Sequence, residues 1–166
     1  MNKQITMLAI AGSLLAIAIY RFVQFSRSSG DGDGLAYFYD LSERQLFTAA
    51  RTLVPPIRGL NDSELDGMRA IVVSTSGRAN DKSNFKIAYL EKYAPELKAQ
   101  VESMQRGAPP PARGENISRT AGQSLTFVRR LEEQTWHPVN SAEAERIMTE
   151  WLKPGPEGKI PVVCSP

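Results

Sequence analysis

The chain has few of the residues that form disulfides, zinc sites and haem attachment sites. Its 166 residues include one cysteine, Cys164, and one histidine, His137. A lone cysteine cannot form an intramolecular disulfide, and it excludes the paired-cysteine motifs of zinc and haem proteins. A serine–histidine–acid triad would have to use His137, which we expect to be a packed or surface residue of a strand in a hairpin. The sequence therefore predicts no metal ion and no cofactor.

The chain also lacks an excess of charge of either sign. Three of its 20 basic residues precede residue 30, which leaves 17 basic against 18 acidic side chains in residues 30–166. A protein that binds nucleic acid needs a basic patch. The longest basic cluster here, Arg129-Arg130, is followed at once by Glu132-Glu133. The sequence therefore predicts no nucleic-acid partner.

Short catalytic motifs are incomplete. Ser83-Asn84-Phe85-Lys86 matches the Ser-x-x-Lys pattern of penicillin-binding enzymes, but the companion motifs of those enzymes are missing. The segment 74–78 follows a predicted strand, as a phosphate loop would, yet it lacks the glycine spacing and the Lys-Ser/Thr pair of that loop. We therefore predict no catalytic residue and no cofactor-binding residue.

The sequence begins with a long run of apolar residues. Residues 5–20 carry no charged side chain, and Phe22, Val23 and Phe25 extend the run past Arg21. About 20 apolar residues in a helix cross a hydrocarbon core of about 30 Å, and an arginine near the end can extend to the interface. We expect a transmembrane signal anchor over residues 1–25, with the lipid bilayer as its partner through residues 5–25.

A cleaved signal peptide is the alternative for this segment. Lys3 supplies the basic start, and Ala16-Ile17-Ala18 imitates a cleavage site. The residues after that site remain apolar, which favours the uncleaved anchor. A short N-terminal tail favours the N-terminus inside and the domain outside. The predicted localisation is a single-pass protein of a bacterial inner membrane with a periplasmic domain.

Residues 26–34 are predicted to be a Gly/Ser-rich linker, and residues 35–166 one soluble α+β domain. Alternation and β-branched or aromatic residues predict five to seven short strands. The predicted strands are residues 35–41, 45–49, 69–75, 85–92, 124–131, 134–139 and 159–164. We expect Cys164 to be buried in the last one. With no regular strand–helix alternation, the strands favour a mostly antiparallel sheet.

Two helices are predicted in this domain. Apolar residues from Ile87 to Met104 recur at helical spacing, but Pro95 interrupts them, and proline favours the first turn of a helix. We therefore expect a strand to residue 92 and a helix over residues 95–106, with one long helix kinked at Pro95 as the alternative. Asn140 and Glu143 predict the capped start of a second helix with an apolar face. Residues 107–122 are predicted to be a loop.

Aromatic residues cluster in the predicted first hairpin. Strand alternation sends Tyr37 and Tyr39 to one face of the sheet and Phe38 to the other. A sheet covered on both faces would bury them all. The functional alternative is a surface that binds a protein partner through Tyr37, Tyr39 and Phe47.

Several segments together resemble small single-span bacterial proteins of unassigned function. The resemblance covers most of residues 35–152 and rests on Tyr37-Phe38-Tyr39-Asp40-Leu41 with Leu46-Phe47, Val54-Pro55-Pro56-Ile57, Arg69-Ala70-Ile71-Val72-Val73, and Ile87-Ala88-Tyr89-Leu90-Glu91-Lys92-Tyr93 followed by Pro95-Glu96. It implies bacterial origin and a strand followed by a helix at Pro95. It implies no activity, substrate or ligand residues.

Two functions are compatible with these patterns. The first is a non-enzymatic binding or assembly role of a membrane-anchored, exported domain. The alternative is a small enzyme or ligand-binding module whose site is built from scattered Asp, Glu, Arg and Tyr residues. A polar pocket with perturbed carboxyl groups would favour the alternative.

Overall fold

The computed structural model describes residues 34–61, 64–108, 117–155 and 158–166. The strands are β1 (Leu35–Asp40), β2 (Gln45–Ala50), β3 (Gly67–Ser74), β4 (Phe85–Tyr93), β5 (Thr126–Arg129), β6 (His137–Pro138) and β7 (Val162–Val163). The helices are α1 (Pro95–Gln105), α2 (Arg119–Ser124) and α3 (Ala142–Glu150), with a 3₁₀ helix at Lys82–Asn84. Residues 34–166 form one compact unit.

All seven strands belong to one antiparallel sheet. Its order is β2-β1-β3-β4-β5-β6, and β7 pairs with the end of β3. β1 pairs with the first residues of β3, from Gly67 to Arg69, whereas Val163 of β7 pairs with Val73. Because β4 occupies the other side of β3, β1 and β7 share one side of that strand.

One face of the sheet is covered by helix α3. Val128 of β5 is fully buried there against Ala144 and Ile147. The N-cap of α3 is Ser141, whose hydroxyl oxygen accepts a hydrogen bond from the Ala144 N–H at 3.2 Å. The predicted cap, Asn140, is therefore one residue too early. The capping serine supplies an acceptor for a backbone donor that the first helical turn leaves without one.

The opposite face carries the larger apolar cluster. Its buried members are Met68, Ala70, Val72, Leu90 and Cys164, and partly buried side chains surround them, among them Tyr37, Tyr39, Leu131 and Trp136. Cys164 is 5 % exposed, and its N–H donates to the Val72 carbonyl at 2.8 Å. The predicted burial of this cysteine is confirmed.

The change from strand to helix at Pro95 is also confirmed. β4 ends at Tyr93, and α1 begins with Pro95 in its first turn, where a missing N–H removes no helical hydrogen bond. Lys98 of α1 donates to the carbonyls of Val54 and Pro56 at 2.6 and 2.9 Å. These bonds hold α1 against the loop before β3.

The predicted fold class, a transmembrane helix followed by a mostly antiparallel sheet with two helices, needs correction. The described residues contain three α-helices, since α2 forms inside the segment predicted to be a loop. No helix among them is both long enough and apolar enough to cross a membrane. The longest, α1, has 11 residues, and it would span only about 16 Å of a core about 30 Å thick.

The anchor predicted over residues 1–25 lies outside the described residues, as does the predicted linker apart from Gly34. The localisation at a bacterial inner membrane stays a prediction.

Candidate binding cleft

The three aromatic residues predicted to bind a partner lie on different faces of the sheet. Tyr37 and Tyr39 pack on the Met68 side. Phe47 pairs with the buried Phe38 on the other face, with ring centroids 5.9 Å apart. Tyr37, Tyr39 and Phe47 are each half-buried. They therefore do not form one continuous surface, and only Tyr39 lies in the cleft described next.

A cleft of about 570 Å³ lies on the face that carries Tyr39. Two segments that are distant in the sequence line it, and its residues are Tyr39, Leu41, Arg44, Arg129, Leu131, Glu132, Glu133 and Gln134. β3 and β4 separate β1 from β5 in the sheet, which in a flat sheet would place β1 and β5 roughly 14 Å apart. Residues of both strands line one cavity, so the cleft extends across β3 and β4 on this face of the sheet.

Arg129 is the most buried charged residue of the cleft, at 9 % exposure. Its Nη1 donates to the carbonyl oxygen of Glu133. Its Nε is buried and has no acceptor among the described residues, and no described carboxylate lies within ion-pair distance of it. Burial lowers the pKa of Arg129, and the charge of Glu133, together with that of Tyr39 once its phenol is ionised, opposes this effect only in part.

The indole ring of Trp136 contacts two cations. Lys92 Nζ lies 4.5 Å and Arg129 Cζ 4.8 Å from the ring centroid. Each such contact stabilises a cation by about 0.5–2 kcal/mol. The pKa of Lys92 is lowered, first by burial and then by the charge of Arg129. The contacts with Trp136 thus offset part of the repulsion between the positive charges of Lys92 and Arg129.

The turn between β1 and β2 places Arg44 at the cleft. Asp40 is fully buried beneath the turn, where its Oδ1 accepts from the Glu43 N–H at 2.8 Å and its Oδ2 from the Leu60 N–H at 2.7 Å. Burial would raise the pKa of Asp40, but hydrogen bonds from Glu43, Leu60 and Ser42 lower it on balance. Arg44 has a φ of 54°, in the left-handed region that favours glycine.

Arg130, the next residue after Arg129, lies on the opposite side of the sheet beside α3. Its guanidinium contacts three carboxylates: Glu133 at 2.6 Å, Glu143 at 3.0 Å and Glu150 at 2.7 Å. These contacts raise the pKa of Arg130, with Glu150 as the largest cause. Because Glu133 directs its Oε1 to Arg130, this carboxylate forms no ion pair with Arg129 and offsets its charge only in part.

Sequence reasoning did not identify the cleft. It treated Arg129-Arg130 as one basic cluster balanced by Glu132-Glu133. Alternation along β5 could have separated the two arginines, since neighbouring strand residues point to opposite faces. No protein family, curated protein or solved structure matches the chain.

Proposed function

We propose that the domain is a non-enzymatic binding module and that a segment of a protein partner docks in the cleft between Tyr39 and Arg129. One observation carries the proposal. Arg129 is 9 % exposed, lines the cleft, and has a buried Nε without an acceptor among the described residues.

A buried donor without an acceptor costs about 1–3 kcal/mol, and more when the donor is charged. Most buried polar groups in native proteins have a partner for this reason. A partner segment in the cleft cannot reach the buried Nε directly, but an acceptor for the other guanidinium nitrogens of Arg129 would offset that cost. The free domain therefore holds a group whose hydrogen bonding improves when a ligand binds.

The lining of the cleft suits a protein segment. Leu41 and Leu131 contribute apolar surface, while Tyr39 and Arg129 are of residue types that are enriched at the centres of protein interfaces. The volume of about 570 Å³ falls within the usual range of binding sites. Of the predicted partner-binding residues Tyr37, Tyr39 and Phe47, the proposal retains Tyr39 alone, because the other two do not line the cleft.

The enzyme hypothesis requires a carboxyl group whose pKa is raised towards neutral in a cavity, where it could act as a general acid or base. Glu143 and Glu150 line one cavity and Asp81 another, but hydrogen bonds lower the pKa of each of them. Burial raises the pKa of Glu91, and the charge of Arg69 and a hydrogen bond with Tyr93 oppose that effect. Glu91 lines none of the five cavities mapped among the described residues. This carboxyl group therefore does not favour the enzyme hypothesis over the binding function.

Site-specific photo-crosslinking in the full-length protein tests the proposal. A photoreactive amino acid replaces Gln134, which is exposed and lines the cleft. The matched control replaces Gln123, an exposed glutamine on α2. The experiment is carried out in cells that produce the protein, with and without Arg129→Met.

We expect a discrete protein adduct at position 134, none at position 123, and loss of the adduct when Arg129→Met is added to a protein that still folds. An adduct of equal yield at both positions would refute the docking site. So would an adduct at 134 that persists after Arg129→Met.

A further inference from the structure

We infer that the group bound in the cleft is a carboxylate of the partner segment, held by Arg129 and by Arg44. This inference rests on the proposed function and adds the chemistry of the ligand. The carboxylate of an aspartate or glutamate side chain and that of a chain terminus share this chemistry.

The guanidinium of Arg129 is suited to a planar anion. It presents its donors in a rigid fork that matches the two oxygens of a carboxylate. Its burial at 9 % exposure means that most of its hydration is already lost in the free protein. Binding therefore forms a strong hydrogen-bonded ion pair, and the free energy of desolvating Arg129 does not have to be supplied again when the ligand binds.

The charges around Arg129 favour a ligand with one negative charge over a ligand with several. Glu132 and Glu133 line the same cleft as Arg44 and Arg129, and Glu133 is also paired with Arg130, so the cleft holds only a small excess of positive charge. A dianionic phosphate, or the phosphates of a nucleic acid, would be repelled by the two glutamates. A carboxylate brings one charge and can contact the arginines with less repulsion.

The backbone of Arg44 supplies an independent argument. Its φ of 54° is unfavourable by about 1–2 kcal/mol for a residue with a Cβ, and glycine would relieve that cost. Strained residues of this kind cluster at binding sites. Arg44 lines the cleft, where its positive charge can contact a bound anion. This role explains why arginine occupies a position at which the backbone favours glycine.

The pKa of Lys92 provides a second way to detect binding of a carboxylate. Its pKa is lowered by burial and by the charge of Arg129. A carboxylate bound to Arg129 offsets that charge, so the pKa of Lys92 rises on binding. Binding is then accompanied by proton uptake at alkaline pH, near the pKa of Lys92.

Fluorescence of Trp136 in the full-length protein provides the assay. The chain has two tryptophans, and Trp151→Phe leaves Trp136 as the only one. Four five-residue peptides of otherwise equal sequence are titrated at millimolar concentration. One carries a glutamate with an amidated end, one a glutamine with a free terminal carboxylate, one a glutamine with an amidated end, and one a phosphoserine with an amidated end.

We expect saturable binding of at least one carboxylate peptide and none of the amidated glutamine peptide. The glutamate and free-terminus peptides distinguish a side-chain source from a terminal source. Arg44→Gly should weaken binding about threefold to tenfold while the melting temperature stays equal or rises. Arg58→Gly, at an exposed loop arginine outside the cleft, is the matched control and should leave affinity unchanged.

Four results would overturn the inference: tighter binding of the phosphoserine peptide, equal binding of the amidated glutamine peptide, binding of neither carboxylate peptide, or unchanged affinity in Arg44→Gly. The docking site itself would survive each of them if the crosslink at position 134 still depended on Arg129. Arg44→Gly keeps the test valid even if Arg129→Met fails to fold.

Discussion

Arg129 and Arg130 are neighbours in the chain, yet the structure treats them differently. Arg130 contacts three glutamates, two of them on helix α3. Arg129, on the other face of the sheet, contacts a tryptophan ring and one backbone carbonyl, and keeps an Nε without a described acceptor. Among the described residues, three carboxylates form ion pairs with Arg130 and none forms an ion pair with Arg129.

This difference separates a structural charge from a binding charge. Asp40 resembles Arg130 in this respect, because the backbone and Ser42 donate the hydrogen bonds that its carboxylate accepts. A charge whose partners all come from the chain stabilises the fold and has little left to offer a ligand. A charge that is buried without such partners costs stability until a ligand arrives. Substitution of each arginine should therefore affect different properties.

The largest effect on stability is expected for Arg130→Met. The substitution leaves three carboxylates close together without their cation, and Arg130 has a side-chain exposure of 24 %. We expect a loss of about 2–3 kcal/mol in the free energy of unfolding, below the range for a fully buried pair. Urea denaturation of the full-length protein measures it.

Arg146→Met is the matched control for that experiment. Arg146 contacts Glu143 at 3.4 Å but is 77 % exposed, so we expect a change below about 0.5 kcal/mol. If Arg130→Met also changed the free energy of unfolding by so little, the network around Arg130 would not be structural.

The next effect is the pH dependence of that stabilisation. Hydrogen bonds from Arg130 are the largest cause of the lowered pKa values of Glu143 and Glu150, whose ordinary value is 4.5. Their contribution is fully present above that value and is lost as the pH falls through the lower values of the folded protein. The stability difference between wild type and Arg130→Met should therefore shrink by at least half between neutral pH and about pH 3. A difference that stayed constant with pH would contradict the ion-pair explanation.

A smaller effect is expected for Arg129→Met. The substitution removes a cation–π contact and one hydrogen bond, but it also removes a desolvated charge and its repulsion of Lys92. We expect the free energy of unfolding to change by less than about 1 kcal/mol in either direction. A loss above about 2 kcal/mol in the same urea assay would show that Arg129 is structural.

The smallest effect is a change in the titration of Lys92. Arg129→Met removes the second cause of its lowered pKa and leaves the first, burial. The pKa of Lys92 should rise yet stay below its ordinary value of 10.5. NMR titration of the lysine side chains measures it. Arg130→Met should not change it, since Arg130 lies on the other face; equal shifts in both variants would refute the separation of the two arginines.

Local signals in the sequence predicted the local structure well. The hairpin of β1 and β2, the change from strand to helix at Pro95, and helix α3 each depend on residues close together in the chain. Helix α2 was missed because it has six residues, includes Gly122 and presents no apolar stripe. Its N-cap is Ser118, whose hydroxyl oxygen accepts a hydrogen bond from the Ala121 N–H at 3.2 Å. A serine at this position was the sequence signal that could have indicated the start of the helix.

The cleft could not be predicted in the same way. Tyr39 and Arg129 are distant in the chain, and they line one cavity because β1 and β5 belong to one sheet and both residues lie on the same face of it. Sequence patterns predicted strands but not their order. Glu133 lies three residues after Arg130 and four after Arg129, so spacing alone left its partner open.

Cys164 makes the C-terminal segment a kinetic reporter. Thiol reagents attack the thiolate, and burial raises the pKa of this thiol, an effect that the hydrogen bond from the Ser74 backbone only partly offsets. Labelling therefore requires the segment to detach from Val72, whose carbonyl accepts the Cys164 N–H. Since the chain has no other cysteine, the labelling rate in increasing urea reports how often this strand opens by itself, separately from unfolding of the whole sheet.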